Sequence, residues 1–390
     1  MSDAAPYRIF LIAGEPSGDA LGAKMMQGLK LTSSRSVEFF GVGGPLMEAE
    51  GLFSLFPMEE LTVMGLFEVL PKLPLLLRRI RETAEAAQNF APDILITIDA
   101  PDFSFRVAKK LTNVAFPKVH YVAPSVWAWR PGRAQKIAPL YDHLLTLLPF
   151  EPPYFEKVGL PATFIGHSVV ETGADKGEGA KFRQTHDIGT EEKLLMLLPG
   201  SRRGEVARHL PLFEETVRRL KSEMGDVRLV VPVIGRAAEM VREAMKSWEV
   251  EPVIVTGEVA KFDAMAAADV ALAASGTVGL ELALAELPTV IAYRMNALTA
   301  WIARRIVKLD YVNLVNILMK REVVPEFLLE NCRPENLARA TLDLFRSEEK
   351  RGGQIADFRH AMVLLGKGAA VPGVRAAEVI LEILQRKTSL

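Results

Sequence analysis

The sequence of 390 residues contains a single cysteine, Cys332. One thiol excludes an internal disulfide and any cysteine-built metal site, and it fits a reducing compartment. Excess charge is also missing: 47 Lys and Arg against 48 Asp and Glu leave a formal net charge of -1. With no polycationic footprint, nucleic acid is not expected as a partner, and any phosphate binding must be local. The six histidines have no H-E-x-x-H or related spacing, so no metal is expected. G-x-x-x-x-G-K-[ST] and G-x-S-x-G are both absent, which removes the usual ATP loop and the hydrolase elbow. The longest apolar region, Leu61 to Leu77, is broken by Glu68, Pro71, Lys72 and Pro74 and cannot be read as a spanning helix. Its start, MSDAAPY, runs straight into an apolar strand with no basic segment before a long apolar stretch. The expectation is a cytoplasmic protein without a signal peptide.

What is present is an alternation of strand-length apolar runs with helical patterns, the grammar of βαβ units and a parallel sheet. Length alone suggests two domains. The first half reads as strand Arg8 to Ala13, loop Gly14 to Asp19, helix Ala20 to Leu31, strand Val37 to Phe40, and strands Asp93 to Ile98, Lys118 to Val122, Leu144 to Leu148 and Thr163 to Ile165. The first loop lacks the full G-x-G-x-x-G spacing, which disfavours a dinucleotide. Gly41 to Gly44 either admits close backbone approach or simply turns the chain. Glu171 to Glu192, polar and without apolar period, reads as a linker. The second half restarts with strand Leu194 to Leu198, loop Pro199 to Glu205 and helix Val206 to Lys221, then strands Arg228 to Val233 and Pro252 to Thr256 and helix Phe262 to Ala268. An amphipathic helix is expected over Ala297 to Leu309, with Trp301, Arg304, Arg305 and Lys308. The tail from Pro334 to Lys387 is helical in pattern, interrupted at Gly352-Gly353 and Pro372-Gly373.

Ligands in such sheets sit beyond the carboxyl ends of strands. At one such end, Val270 to Ala274 runs into Ser275-Gly276 and a helix from Thr277, so unpaired N–H groups can face an anion. Glu281, one turn on, suits two sugar hydroxyls; the bland alternative is that Ser275 caps the helix and Glu281 is a solvated face residue. Arg202 or Arg203, after the first strand of this half, can neutralise a diphosphate. Asp99, at the end of another strand, is a candidate base or a helix cap, as is Asp102. Trp127, Trp129 and Arg130 suit stacking on a sugar or holding an anion, or plugging a core. Leu61 to Arg81, apolar and ending in Arg78, Arg79 and Arg81, reads equally as a membrane-interfacial segment or a core helix with a basic end.

Nine stretches in series carry a resemblance: IAGEPSGD (Ile12 to Asp19), GVGGPLMEAEG (Gly41 to Gly51), IDAPDF (Ile98 to Phe103), HYVAPSVWAWR (His120 to Arg130), LPFE (Leu148 to Glu151), FIGH (Phe164 to His167), LLPGSRRGEV (Leu197 to Val206), ASGTVGLE (Ala274 to Glu281) and DYVNLVNIL (Asp310 to Leu318). Together they resemble the lipid-A-disaccharide synthase family over nearly the whole chain. Pro16 and Gly43 depart from the family's usual small residue and alanine without removing a functional group. The resemblance implies a GT-B fold, with two Rossmann-like domains facing across a cleft. Its expected limits are 1-170 for an acceptor and membrane-facing domain, 171-192 for the linker, 193-345 for a UDP-sugar domain and 346-390 for C-terminal helices, which return to the N-terminal domain or cross to a partner chain in a homodimer.

The implied reaction joins UDP-2,3-diacylglucosamine to 2,3-diacylglucosamine 1-phosphate (lipid X) in a β-1,6 link with inversion, releasing UDP and needing no cofactor and no metal. The resemblance implies Asp99 as base, with Glu15 and Asp102 as alternatives. It implies donor binding by Ser201, Arg202, Ser275, Gly276, Thr277, Glu281 and Asn316. Glu15, Ser17, Asp19, Ser125, Trp127 and Arg130 are expected on the acceptor or cleft side. The acyl chains favour the interfacial reading, with Leu66, Phe67, Leu75, Leu76, Arg78, Arg79 and Arg81 facing the anionic surface of the inner membrane's cytoplasmic side. Rival readings are another GT-B enzyme, such as a UDP-N-acetylglucosamine 2-epimerase or the peptidoglycan N-acetylglucosaminyltransferase, and a non-catalytic nucleotide-sugar-binding regulator.

Overall fold

The computed structural model describes residues 5–61, 66–129, 132–233, 238–295 and 309–388. The chain forms two compact units, Met1–Ser168 with Leu365–Leu390, and Val169–Leu364. The first opens with β1 (Tyr7–Ala13), α1 (Pro16–Thr32), β2 (Val37–Val42), α2 (Pro45–Ala49), β3 (Leu52–Ser54), α3 (Leu66–Phe90) and β4 (Ile94–Ile98). It continues through α4 (Pro101–Lys110), β5 (Lys118–Tyr121), α5 (Arg133–Ile137), β6 (His143–Thr146), α6 (Pro152–Glu156) and β7 (Ala162–Phe164). These strands pair in parallel in the order β3-β2-β1-β4-β5-β6-β7. The period of two shows in β1: Ile9, Leu11 and Ala13 enter one apolar cluster, and Phe10 and Ile12 enter the cluster on the other face.

The second unit carries α7 (Gly179–Thr185), β8 (Leu194–Leu198), α8 (Arg203–Met224), β9 (Arg228–Val233), α9 (Ala238–Met245), β10 (Pro252–Thr256) and α10 (Glu258–Ala267). Then come β11 (Val270–Ala274), α11 (Val278–Leu284), β12 (Thr289–Tyr293), α12 (Leu314–Met319), β13 (Glu326–Leu328), α13 (Pro334–Arg346) and α14 (Glu348–Leu364). Its sheet, also parallel, runs β10-β9-β8-β11-β12-β13. In both sheets the strand order reverses beside the first strand, at β1/β4 and at β8/β11. Such switch points are where α/β sheets open a crevice for ligands.

The two Rossmann-like sheets are those expected. Three details differ. The stretch expected as a plain linker contains α7, which packs on α10, with Gly177 and Gly179 letting the backbones touch. Helix α14 runs straight through Gly352-Gly353, since two glycines lower helix propensity without blocking a hydrogen bond. The break falls instead at 365–371, where Gly366 and Gly368 take positive φ. The last helix, α15 (Pro372–Thr388), returns to the first unit and packs on α1, with Ala376, Ala377, Ile380 and Leu384 in its core. The helix expected over Ala297 to Leu309, with Trp301, Arg304, Arg305 and Lys308, lies almost wholly outside the described residues.

Candidate active site

In the second unit a cavity of about 220 Å³ opens at the β8/β11 switch point. The loop after β8 contributes Gly200 and Ser201, the first turn of α8 contributes Glu205, and the end of β11 contributes Ser275, Gly276 and Thr277. Gly200 takes φ +117°, open to glycine alone. The turn it makes leaves the Ser201 N–H donating to Glu205 Oε2 at 3.2 Å. Thr277 is the N-cap of α11, and no side chain caps that helix. The alternative role for Ser275, a simple cap, is therefore not the one adopted. The Gly279 and Leu280 N–H groups already donate to the Gly276 and Thr277 carbonyls at 3.2 and 3.0 Å, so the N–H groups available at this turn are those of Gly276, Thr277 and Val278, and nothing crowds the side of Gly276 where a Cβ would stand.

Glu281 lines the same cavity, and it is not a solvated face residue. Its Oε2 lies 2.9 Å from Lys261 Nζ, and Lys261 on α10 is only 6% exposed. A carboxylate paired in this way is held in one direction in a partly dry site. His209, fully buried on α8, ties the rim together. The Arg294 N–H donates to its Nε2 at 3.2 Å, so the ring proton sits on Nδ1 and faces the Pro199 carbonyl at 3.1 Å. Burial holds this imidazole below the usual histidine range.

Arg202 is exposed at the N-cap of α8, beside the cavity. Burial raises the Tyr293 phenol, Glu205 adds to the shift, and Arg202 and Arg208 oppose it. Both guanidiniums thus act on the end of β12. Asn316 stands apart. It is fully buried; its Oδ1 accepts from the Val323 and Val324 N–H groups at 2.8 Å each, and its Nδ2 donates to the Val324 carbonyl at 2.8 Å. With the amide engaged on that turn, it holds the backbone and does not line the cavity.

In the first unit the β1/β4 switch point brings Glu15, Ser17 and Asp99 together. Asp99 and Ala100 have φ of +50° and +43°, a sparsely populated conformation for residues with side chains. Such strain persists only where the surroundings fix it, and it concentrates at functional sites. The Asp99 N–H donates to the Tyr121 carbonyl at 2.9 Å, and its own carbonyl accepts from Ser104 Oγ at 2.9 Å. Ser17 Oγ donates to Asp99 Oδ2 at 3.3 Å. Asp99 is half-buried and does not cap α4 through its side chain.

Beside it lies a cavity of about 300 Å³, lined by Glu15, Leu73, Leu76, Leu77, Ile80, Asp102 and Arg106 among others. The four apolar residues from α3 fall at helical spacing on one face. Asp102 is exposed, with Arg133 at 3.9 Å, and lacks the enclosed setting of Asp99.

Other expected site residues serve the scaffold. Asp19 is 3% exposed, and its two oxygens accept from the Gly44, Leu46 and Met47 N–H groups, each at 3.0 Å. From α1 it caps the start of the neighbouring α2. Gly44 is a close-approach glycine, since a Cβ there would meet Asp19 Oδ2 at 2.6 Å. Trp127 Nε1 donates to Glu151 Oε1 at 3.1 Å, and its ring stands edge-on to Phe150. Ser125 is exposed, and Arg130 lies outside the described residues.

Of the expected membrane-facing group, Leu75 and Leu76 are half-buried and Arg78 and Arg81 are exposed; Leu66 and Phe67 belong to α3, but their side chains lie outside the described ones. Arg79 is not free for headgroups. Its guanidinium grips Glu60 at 2.7 and 2.8 Å and Glu82 at 2.7 Å, and lies over the Phe56 ring.

Lys261, His209, Glu205 and Arg106 were not foreseen as site residues. Lys261, His209 and Arg106 act through a partner or a cavity wall distant along the chain and lie in no glycine-rich or strand-end signal, whereas Glu205 closes the loop after β8 on its own Ser201 N–H.

The lipid-A-disaccharide synthetase family model matches residues 9–371. The chain is 50% identical over 384 residues to the lipid-A-disaccharide synthase of Rhodospirillum centenum, covering 98% of this chain and 96% of the relative. It is 50% identical over 387 residues to that of Ruegeria pomeroyi, covering 97% and 95%. Among solved structures, a putative UDP-N-acetylglucosamine 2-epimerase from Listeria monocytogenes superposes with TM-score 0.65 at 14% identity, covering 99% of this chain and 97% of that one. Acinetobacter baumannii MurG gives 0.56 at 12%, covering 98% and 100%. At such identities these two speak for the fold alone, two Rossmann-like halves of the GT-B kind.

Proposed function

This chain belongs to the lipid-A-disaccharide synthetase family, and from that premise we propose how its residues divide the work of the reaction. The enzyme is a hexosyltransferase that condenses UDP-2,3-diacylglucosamine with 2,3-diacylglucosamine 1-phosphate to the β-1,6 lipid A disaccharide 1-phosphate and UDP. The family match over nearly the full chain is the observation that carries this, and it sets aside the epimerase and regulator readings.

The donor's nucleotide belongs in the second unit's cavity. Its diphosphate meets the Gly276 and Thr277 N–H groups and the Arg202 guanidinium, and its ribose hydroxyls meet Glu281, which Lys261 aims. Fixed donors at a developing charge are typically worth about 3–4 kcal/mol each. They stabilise UDP as it leaves. Asp99 takes the proton from the acceptor's 6-hydroxyl while that oxygen attacks the anomeric carbon from the face opposite UDP, so the product is inverted. Ser17 engages Asp99 Oδ2 and orients the carboxylate for this transfer.

The exposed Leu73, Leu77, Arg78 and Arg81 of α3 support peripheral binding to the cytoplasmic face of an anionic membrane. Among the described residues no helix is long and apolar enough to cross one.

The test is a mass-spectrometric assay of the purified protein with both substrates in detergent, with chelator present. A tetra-acylated disaccharide 1-phosphate plus UDP is expected. UDP release without disaccharide would contradict the reading.

A further inference from the structure

The mechanism above leaves unused the one cationic side chain among the described residues that line the first unit's cavity. Arg106 projects from the second turn of α4 and lines the cavity whose opposite wall is Leu73, Leu76, Leu77 and Ile80. It is exposed and makes no hydrogen bond or ion pair with any described residue. Asp102, one turn earlier on the same helical face, has Arg133 rather than Arg106 as its nearby cation. The guanidinium fork is therefore open at the rim of an apolar pocket. That combination suits an amphiphile with an acyl chain and an anionic head, and the planar fork matches a phosphate bidentately.

We propose that Arg106 anchors the 1-phosphate of the acceptor while the leucine-lined cavity receives one of its acyl chains. The inference rests on the acceptor reading given above and adds to it the residue that selects a phosphorylated sugar. Chain register supports it. Asp99 stands immediately before α4, and at about 1.5 Å rise per residue Arg106 lies about 9 Å further along the helix axis from Ala100. In a hexopyranose C1 and C5 both adjoin the ring oxygen, so a sugar whose 6-hydroxyl faces Asp99 carries its 1-phosphate on that same edge, just beyond the ring oxygen. A phosphate there is within reach of the long Arg106 side chain, while the acyl groups at positions 2 and 3 leave from the far part of the ring, toward the leucine-lined wall.

The test is steady-state kinetics in neutral detergent, comparing wild type, Arg106→Met and Arg106→Lys. Each is assayed with 2,3-diacylglucosamine 1-phosphate and with the same sugar lacking its phosphate. Loss of one charge-assisted phosphate contact predicts that Arg106→Met raises the acceptor KM about tenfold to a hundredfold. The kcat and the donor KM should stay within about twofold, and lysine should restore part of the loss. With the unphosphorylated acceptor, wild type and Arg106→Met should behave alike. An unchanged KM for the phosphorylated acceptor in an active enzyme would overturn the anchor alone, as would an equal loss on both acceptors. A loss seen only when anionic vesicles replace the detergent would assign Arg106 to membrane headgroups and also overturn it. Absence of disaccharide with wild type would overturn the acceptor reading and the anchor with it.

Discussion

Lys261 Nζ lies 2.9 Å from Glu281 Oε2 across the gap between α10 and α11, with side-chain exposures of 7% and 21%. Removing one partner of a buried pair commonly costs about 3–5 kcal/mol, because the other charge is left in a poor solvent. Lys261→Met should therefore lower the urea midpoint and, in protein that remains folded, weaken UDP binding at least about tenfold by calorimetry. Lys261→Arg should recover most of both. Undiminished UDP affinity in folded Lys261→Met would separate the pair from the nucleotide site.

Glu151 gives a pH signature. Burial, opposed by the Leu148 N–H and Trp127, pushes its carboxyl up to about 7. A carboxyl raised on folding stabilises fully below its unfolded value of about 4.3, and that contribution is lost as pH rises through about 7. His120 and His167 act in the opposite sense: burial holds them neutral, down to about 3 and about 4, so stability falls as pH drops below their unfolded value. Glu151→Gln should thus remove only the fall between about pH 4.3 and 7, leaving the acid limb intact. Denaturation midpoints across pH 4 to 8 check this, and parallel curves for the two proteins would contradict it.

The two sheets were legible because buried parallel strands are written as continuous apolar runs. Leu194–Leu198, Arg228–Val233 and Pro252–Thr256 match their expected limits residue for residue. The strand-end positions of Asp99 and Ser275 followed from the same grammar. What stayed hidden depended on contacts far apart in sequence. Asp19 looked like a loop carboxylate facing substrate, yet its partners begin 25 residues on, at Gly44. Asn316 likewise sits in a motif that suggests ligand binding but closes a turn of its own segment. Lys261 gives no local sign of its pairing with Glu281, 20 residues later. Pro71 and Pro74 excluded a membrane-spanning helix over Leu61 to Leu77, and α3 (Leu66–Phe90) carries both.

For membrane association, Arg78 and Arg81 are the informative pair, because Arg79 is already held by Glu60 and Glu82. Each basic residue near an anionic surface contributes about 1 kcal/mol. The double change Arg78→Glu with Arg81→Glu should reduce co-sedimentation with anionic vesicles at least about tenfold, with disaccharide formation in detergent preserved. Unchanged vesicle binding would remove α3 from the membrane account.

The central claim is that proton removal belongs to Asp99 in one unit and UDP binding to the Ser275–Glu281 region of the other. Its most direct test is Asp99→Asn, with kcat and UDP affinity measured on the same preparation. Loss of a positioned base typically costs about 10²–10⁴-fold in rate, so kcat should fall by that order while the UDP Kd stays within about twofold. A parallel fall in turnover and UDP affinity, or a kcat left unchanged, would contradict the assignment.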